Sequence, residues 1–240
     1  MPLNLSARAA DARELMDEAD ADPRMLEQTY RRFALVNAIV SRPGALYRRD
    51  VRPLARRGRV RILDVGAGGG DLCRVLAARL RRDGLDAEIT ALDPDERAMR
   101  WAQSHDAGAG ARYRCAATAD LVAAGETFDI VLSNHLLHHL TTDELSDLLD
   151  ETRTLAGASG LVVHHDIARS PIAYGLFAAA TFPFARSLFA GTFIRTDGLI
   201  SIRRSYTAPE LAALAPSGWT VRRGMPWRLE MRWEPGDARS

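Results

Sequence analysis

The sequence predicts an α/β fold in which helices cover both faces of a mainly parallel sheet, and three observations support this class. From Arg59 onward, short apolar runs alternate with segments whose apolar residues recur at helical spacing, as βαβ units require. A glycine-rich turn directly follows the first of these runs. Thr-x-x-Glu patterns at Thr141 and Thr207 indicate two further helix starts.

The elements follow in order from these patterns. "VRILDV", "AEITALD", "ARYRC", "TFDIVLS" and "GLVVHHD" have the composition of five strands, and "WTVRRG" and "WRLEMRW" add two more near the end. "DLCRVLAARLRR" and "TTDELSDLLDETRTL" place their leucines on one helical face. "DERAMRWAQ" supplies a helix after the second strand, and Thr207 opens a short one.

Two segments interrupt the alternation and define the expected domain organisation. Residues 1–56 are predicted to form an N-terminal helical segment ahead of the sheet. Residues 57–240 are predicted to form the main domain, with a helical insertion at about residues 170–204.

Composition limits the classes of protein that fit. The 240 residues are 47% hydrophobic and 26% charged with a net charge of +1, so overall charge does not indicate a polyanion binder. No lysine is present, which excludes a lysine base. Cys73 and Cys115 lack metal-binding spacing, and we expect both to be buried thiols in a reducing compartment. No signal peptide or membrane span is evident, so we expect a soluble cytoplasmic protein.

The glycine turn "LDVGAGGGD" predicts a ligand at the end of the first strand. Gly66 and Gly68 allow close backbone approach, and Asp93 at the end of the second strand can bind both hydroxyls of a ribose. Asp71 stands where a dinucleotide fingerprint needs a small residue, and its charge would repel a pyrophosphate. An adenosine with a cationic amine and no phosphate fits better, which indicates S-adenosylmethionine (SAM).

"LDVGAGGGD", "ALDPD", "FDIVLSNHLLHHL" and "GLVVHHD", in this order, resemble the motifs of class I SAM-dependent methyltransferases over residues 60–233. The resemblance implies a Rossmann-like, seven-stranded sheet with an antiparallel last strand, and a SAM-binding methyltransferase domain over residues 57–240. It also implies that residues 1–56 and the insertion at about residues 170–204 form a lid over the substrate site. The cofactor-binding residues that it implies are Asp64, Gly66, Ala67 and Gly68 at the methionine end, Asp93 at the ribose, Pro94 beside the adenine, and Asn134. Many relatives carry an adenine-binding Asp after the third strand, where this chain has "CAATADL". Main-chain groups or Thr118 are expected to take over that contact.

"SNHLLHHL" resembles the small-molecule O-methyltransferases of natural-product pathways, whose fourth strand ends beside the reacting methyl group. This resemblance implies that His138 is the general base and that Asp166 orients it, with His139 and His135 as the next candidates. A histidine with an ordinary pKa near 6.5 suits proton removal near neutral pH.

Two alternative interpretations of the histidines remain open. In the first, the histidine pair only packs against its neighbours. In the second, His135, His138 and His139 bind zinc, which their spacing suits. We predict no metal, because an ion there would compete with a cationic cofactor. His164 should lie on the opposite face of its strand from His165 and be structural.

The expected acceptor is a hydrophobic aromatic small molecule, such as a phenol, a hydroxyquinone or a polyketide-type natural product. Aromatic residues of the two accessory segments, among them Tyr30, Phe33 and Phe177, favour a flat apolar ligand. C-methylation of a quinone ring needs almost the same site, and a catalytically silent SAM-binding subunit is a further alternative. The basic run Tyr47 to Arg61 suggests RNA methylation as another alternative function, although the "SNHL" motif disfavours it. A homodimer is also possible.

Overall fold

Seven strands form one sheet in the computed structural model, which describes residues 5–236 except the side chains of residues 34, 35 and 38–40. The strands are β1 (Val60–Val65), β2 (Ala87–Asp93), β3 (Arg112–Cys115), β4 (Ile130–Asn134), β5 (Leu161–Ile167), β6 (Trp219–Gly224) and β7 (Arg228–Trp233). Their order is β3-β2-β1-β4-β5-β7-β6. Strands β1 to β5 are parallel, and β7 is antiparallel to both of its neighbours. The predicted fold class is confirmed, including the antiparallel last strand.

The central strands are apolar because both of their faces are covered. Ile62 and Leu63 on β1, Leu132 on β4 and Val163 on β5 have no exposed surface. Strands that alternated between a wet and a dry face would carry polar residues at every second position. These continuous apolar runs therefore position the sheet in the middle of the molecule, between two layers of helices.

The helices are α1 (Pro23–Val40), α2 (Pro43–Leu46), α3 (Arg52–Ala55), α4 (Asp71–Arg82), α5 (Glu96–Ser104), α6 (Thr118–Ala123), α7 (Thr142–Ala156), α8 (Pro171–Thr181), α9 (Ile194–Arg204) and α10 (Ala208–Leu214). Both capping boxes are present, with the Thr141 and Thr207 hydroxyls accepting from the backbone N–H three residues on. Helix α4 begins directly after Gly70, whose φ of 76° suits a residue without a side chain.

The N-terminal segment differs from its prediction over its first part. Residues 5–20, which we call the strap, run across the carboxyl ends of the strands with a single 3₁₀ turn at Leu15–Asp17. The helical prediction was wrong here, because tertiary contacts take up the backbone groups: Asp197 accepts from the N–H of Leu15 at 2.9 Å and of Met16 at 3.0 Å. Residues 1–4 and 237–240 of the predicted segments lie outside the described part of the chain.

Two expectations from composition have different outcomes. Cys73 is buried under the sheet, but Cys115, the last residue of the edge-strand β3, is exposed, so the prediction of burial was wrong for Cys115. Among residues 5–236, no helix is long and apolar enough to cross a membrane.

Candidate active site

A cavity of about 970 Å³ lies at the carboxyl ends of β1, β2, β4 and β5, under the strap and helices α1, α8 and α9. In open α/β sheets ligands bind at this edge, where the strand order reverses. Every candidate residue named from the sequence lines this cavity except Asp166 and Thr118. Residues separated in the sequence by about 75 positions are thus brought to one site by the sheet.

The glycine turn forms the floor of the cavity beside β1. Gly66 has a φ of 67°, and a Cβ there would lie 2.9 Å from Leu136 Cδ1. Gly68 has a φ of 50° and faces open space. Its N–H donates to Asp93 Oδ2 at 2.8 Å, and the other oxygen of Asp93 accepts from the Asp95 N–H at the same distance. A narrow groove without side chains, with a carboxylate at its far end, fits an adenosine.

The acidic residues on the other side of the turn favour a cationic ligand. Asp64 is 2% exposed, and its burial raises its pKa to about 7. The thiol of Cys73 donates to it at 3.3 Å. Burial also raises the pKa of Asp71, which pairs with Arg74 and accepts from Asn37 Nδ2 at 3.3 Å. Buried carboxyls are costly to ionise, and a bound ammonium or sulfonium group would offset that cost. The cavity therefore fits SAM.

The two remaining cofactor candidates have different surroundings. Asn134 lines the cavity, donates from Nδ2 to Ser41 Oγ at 2.8 Å and accepts at Oδ1 from Arg228 at 3.2 Å. Thr118 is buried, and its hydroxyl donates to Glu151 on α7. Because Thr118 does not line the cavity, the adenine contact suggested for it stays a prediction.

His138 and Asp166 form a buried pair, each with 2% or less of its surface exposed. Nδ1 of His138 lies 2.7 Å from Asp166 Oδ1, and the His138 backbone N–H donates to Oδ2 at 2.8 Å. Nδ1 therefore carries a proton that it donates to Asp166, and the histidine also lines the cavity. Burial alone lowers the pKa of His138, but the Asp166 and Glu14 carboxylates outweigh burial and raise it to about 10. Burial raises the pKa of Asp166, but His138 and His135 outweigh burial and hold that pKa below its ordinary value.

Glu14 of the strap is a site residue that no sequence pattern indicates. It is 3% exposed, and its Oε1 lies 3.3 Å from His138 Nε2 and 3.8 Å from His139 Nε2. Ser201 Oγ on α9 donates to the same oxygen at 2.8 Å. Burial raises the pKa of Glu14, but the hydrogen bond and charge of the histidines lower it to about 2. A glutamate in an acidic N-terminal stretch has no local pattern that marks it as buried.

Arginines position the loop that carries the histidines. Arg204 Nε donates to the His138 carbonyl at 3.2 Å and its Nη2 to the His139 carbonyl at 2.8 Å. Arg8 of the strap donates to the carbonyls of His138 at 2.9 Å and Leu140 at 2.6 Å. These charge-assisted bonds fix the imidazole of His138 from the backbone side.

The other histidines have distinct partners. His135, with a φ of 60°, places Nε2 2.9 Å from Ser41 Oγ, and burial lowers its pKa. Nδ1 of His139 lies 3.0 Å from Asp17 Oδ2. His164 lies fully buried on the opposite face of β5 from His165, between Ser133 and Thr152, as expected for a structural residue.

The three histidines considered for zinc do not converge, because His135 turns to Ser41. Within residues 5–236, the one group of side chains close enough to hold an ion is Glu14, His138 and His139, whose ligand atoms lie within 4.8 Å of one another. The charged imidazole of His138, which lies between the Glu14 and Asp166 carboxylates, already accounts for the short distances in this group. The absence of a metal stays a prediction.

The sheet order and this cavity define a class I SAM-dependent methyltransferase, and comparisons with known proteins agree. A family model described as "Methyltransferase domain" matches residues 62–160. A ubiquinone biosynthesis O-methyltransferase of Cereibacter sphaeroides is 32% identical over 174 residues, which cover 69% of this chain and 67% of that protein. The chain belongs to this family of SAM-dependent O-methyltransferases.

Further comparisons define how far this similarity extends. The enzyme of the same name from Sinorhizobium medicae is 36% identical over 83 residues, or 34% of this chain and 31% of that protein. A solved plantazolicin methyltransferase in complex with SAH shares the fold, with a TM-score of 0.56 at 15% identity over 88% of this chain and 95% of that one. The matched region spans between 31% and 42% of the length of three of the curated relatives.

Proposed function

We propose that this protein transfers a methyl group from SAM to a hydroxyl of a hydrophobic aromatic small molecule, a phenol or hydroxyquinone. The observation that carries the proposal is the His138–Asp166 pair, because His138 lines the same cavity as the glycine turn and Asp93 and its Nδ1 is held by Asp166. SAM supplies an electrophilic methyl group on a positively charged sulfur. The chain has to bind the acceptor, exclude water and remove one proton.

His138 is the group that takes this proton. The acceptor O–H donates to Nε2, the proton stays on the imidazole, and Asp166 stabilises the imidazolium through Nδ1. Glu14 lies at Nε2, the atom that has to receive the proton. Acceptor binding therefore requires Glu14 to move away from Nε2. Because the Glu14 carboxylate helps to raise the pKa of His138, this movement also makes the imidazole easier to deprotonate.

The apolar walls of the cavity support an aromatic acceptor. Tyr30, Phe33 and Phe177 line the cavity with Leu136 and Leu176. A Cβ at Gly198 on α9 would lie 2.5 Å from Phe177 Cζ, so glycine there leaves room for the phenylalanine ring. Other aromatic residues of the insertion do not contribute, since Phe182 and Phe184 are exposed and Phe193 is buried against α1. Flat apolar walls suit a ring better than a sugar.

A product screen with methyl-labelled SAM tests the proposal. Phenols, hydroxyquinones and structured RNA are the candidate acceptors, and mass spectrometry with NMR of each product identifies the methylated atom. We expect a methyl ether on an aromatic hydroxyl. A methyl group on ring carbon would indicate C-transfer, a labelled RNA would indicate an RNA enzyme, and SAM binding without turnover on any acceptor would indicate a silent subunit.

A variant at His138 tests the role of the base. We expect His138→Ala to keep SAM affinity and to lower kcat by about 10²–10⁴-fold, the usual contribution of a positioned base. His105→Ala is the control, because His105 lies on the surface and stacks on Trp101. Turnover close to that of the parent protein would exclude His138 as the base.

A further inference from the structure

The basic run Tyr47–Arg61, which the proposed function does not use, has two halves with different electrostatics. In its second half Arg52 pairs with Asp83, Arg59 with Glu88, and Arg61 with Glu126. Such exposed pairs account for these arginines as a solvated surface. The arginines at the start of the run instead face a second cavity.

This second cavity, of about 370 Å³, lies between α2 and the β5–β7 side of the sheet. Four arginines line it, and the one acidic residue among the lining residues is Glu230. The arginines are Arg42, Arg48, Arg49 and Arg228. The remaining wall is partly apolar and includes Leu46 and Leu229. A concave surface with an excess of guanidinium groups and an apolar wall has the composition of an anion site.

The acidic groups nearby are already committed to other partners. Glu230 binds Arg49 and lies 3.1 Å from Nε2 of His165. Asp50, behind the cavity, binds Arg49 and Arg232. In the part of the chain that the structure describes, no carboxylate oxygen lies within 4.0 Å of a guanidinium nitrogen of Arg42 or Arg48.

The position of Arg42 is set by its own backbone conformation and by the loop between β6 and β7. Its φ of 47° is unusual for a residue with a side chain, and Pro43 follows it. Nη1 donates to the Met225 carbonyl at 3.1 Å, which holds the guanidinium at the mouth of the cavity. Arg228 lies deeper and is 6% exposed. Burial lowers the pKa of Arg228 to about 10, and the positive charge of Arg42 acts in the same direction, whereas the Asp166 and Glu230 carboxylates oppose it.

We propose that this cavity binds a phosphate-type dianion, either inorganic phosphate or a phosphomonoester whose small organic group packs on Leu46 and Leu229. Guanidinium groups of Arg42, Arg48 and Arg228 donate to the phosphate oxygens, a geometry for which arginine is well suited. Most residues of this site lie outside the methyl-transfer cavity, although Ser41 lines both, and phosphate binding does not depend on the identity of the proposed acceptor.

Isothermal titration calorimetry with inorganic phosphate and with phenyl phosphate tests the proposal, using chloride at the same ionic strength as the reference. We expect saturable binding of both phosphates. Arg48→Ala and Arg42→Asn should each weaken it about tenfold, since each removes a hydrogen bond to a charged group. Asparagine is chosen at position 42 because it tolerates the left-handed backbone conformation. Arg57→Ala is the matched control. Arg57 is exposed and lies outside the cavity, and its substitution removes the same charge.

The outcomes separate clearly. Binding that the two cavity variants weaken and Arg57→Ala leaves unchanged would support the site. Equal weakening in all three variants would indicate nonspecific attraction to a basic surface and would overturn it, as would heats no larger than those with chloride. Co-flotation with vesicles containing phosphatidic acid, lost in the same two variants, would identify a lipid headgroup as the source of the phosphate. Its absence would identify a freely diffusing ligand.

Discussion

At the scale of single residues, the proton affinity of His138 depends on carboxylates from distant parts of the chain. We expect Glu14→Gln to move the acid limb of the pH profile of kcat/KM toward lower pH. The pKa of His138 is raised to about 10, and the base acts only after it loses this proton. Removing the Glu14 charge lowers this pKa, so the neutral imidazole is present at lower pH. The measurement is kcat/KM over a pH series.

Glu18→Gln is the control for this profile, because Glu18 lies on the strap and contacts only Arg13, at 4.0 Å, among the ion pairs of the described residues. Its profile should match that of the parent protein. A Glu14→Gln profile with an unmoved acid limb would show that the glutamate has left Nε2 before the base acts, and that it has no influence on the working enzyme.

Asp64 offers a second prediction at this scale, one that concerns the cofactor. Burial raises its pKa to about 7, so near neutral pH part of the population is protonated. A cationic ligand beside Asp64 favours the carboxylate and lowers this pKa. SAM affinity should therefore increase as the pH rises through 7, with release of a proton. Calorimetry in two buffers of different ionisation enthalpy measures the proton. Asp64→Asn should abolish the release, and Asp86→Asn, at an exposed position, should not.

At the scale of elements, several side chains hold the strap in place, and Arg8 alone makes four hydrogen bonds to the rest of the protein. Its guanidinium also donates to the Arg204 carbonyl at 2.5 Å and to the Tyr206 hydroxyl at 2.7 Å. We expect Arg8→Ala to lower the free energy of unfolding by about 2 kcal/mol and to lower kcat, because Glu14 and the histidine loop lose a common anchor. Denaturant unfolding and hydrogen exchange of residues 5–20 measure the two effects.

Arg13→Ala is the matched control for the strap, since the Arg13 side chain is 82% exposed. It should change neither the stability nor the exchange rates. If Arg8→Ala released the strap without changing kcat, the strap would be only a stabilising element and would have no part in positioning the site.

The elements themselves could be predicted because their signals are local. Thr141 with Glu144 marks a helix start within four residues, and the apolar run around Leu132 marks a buried strand. The positions of Asp93 and His138 at strand ends follow from the same patterns, because parallel strands end at one edge of a sheet. These features needed no knowledge of contacts between distant residues.

The strap could not be predicted, because its conformation depends on residues far along the chain. Leu15 and Met16 give up helical hydrogen bonds in favour of Asp197, and Glu14 is buried only because His138 and Ser201 receive it. Thr118 also has a partner that no local pattern indicates, because its hydroxyl donates to Glu151 from α7. The adenine contact suggested by its place after β3 stays a prediction.

At the scale of the whole molecule, cofactor binding should stabilise the fold, because the cavity joins four strands to the accessory segments. A ligand present at about 100 times its Kd stabilises the native state by about 2.7 kcal/mol, which for a chain of this size raises Tm by roughly 5–10 °C. We expect Asp93→Ala to abolish this increase. Because the variant also loses the bonds from Gly68 and Asp95, the shift is measured against its own Tm without SAM.

Asp86→Ala is the control for this thermal shift, since it removes an exposed carboxylate that lies just before β2. Its shift with SAM should equal that of the parent protein. NADH at the same concentration should give no shift, because its pyrophosphate would meet Asp71 at the start of α4. A full SAM shift in Asp93→Ala would mean that the ribose is held elsewhere, and a shift with NADH would contradict the assignment of the cavity to a cationic, phosphate-free cofactor.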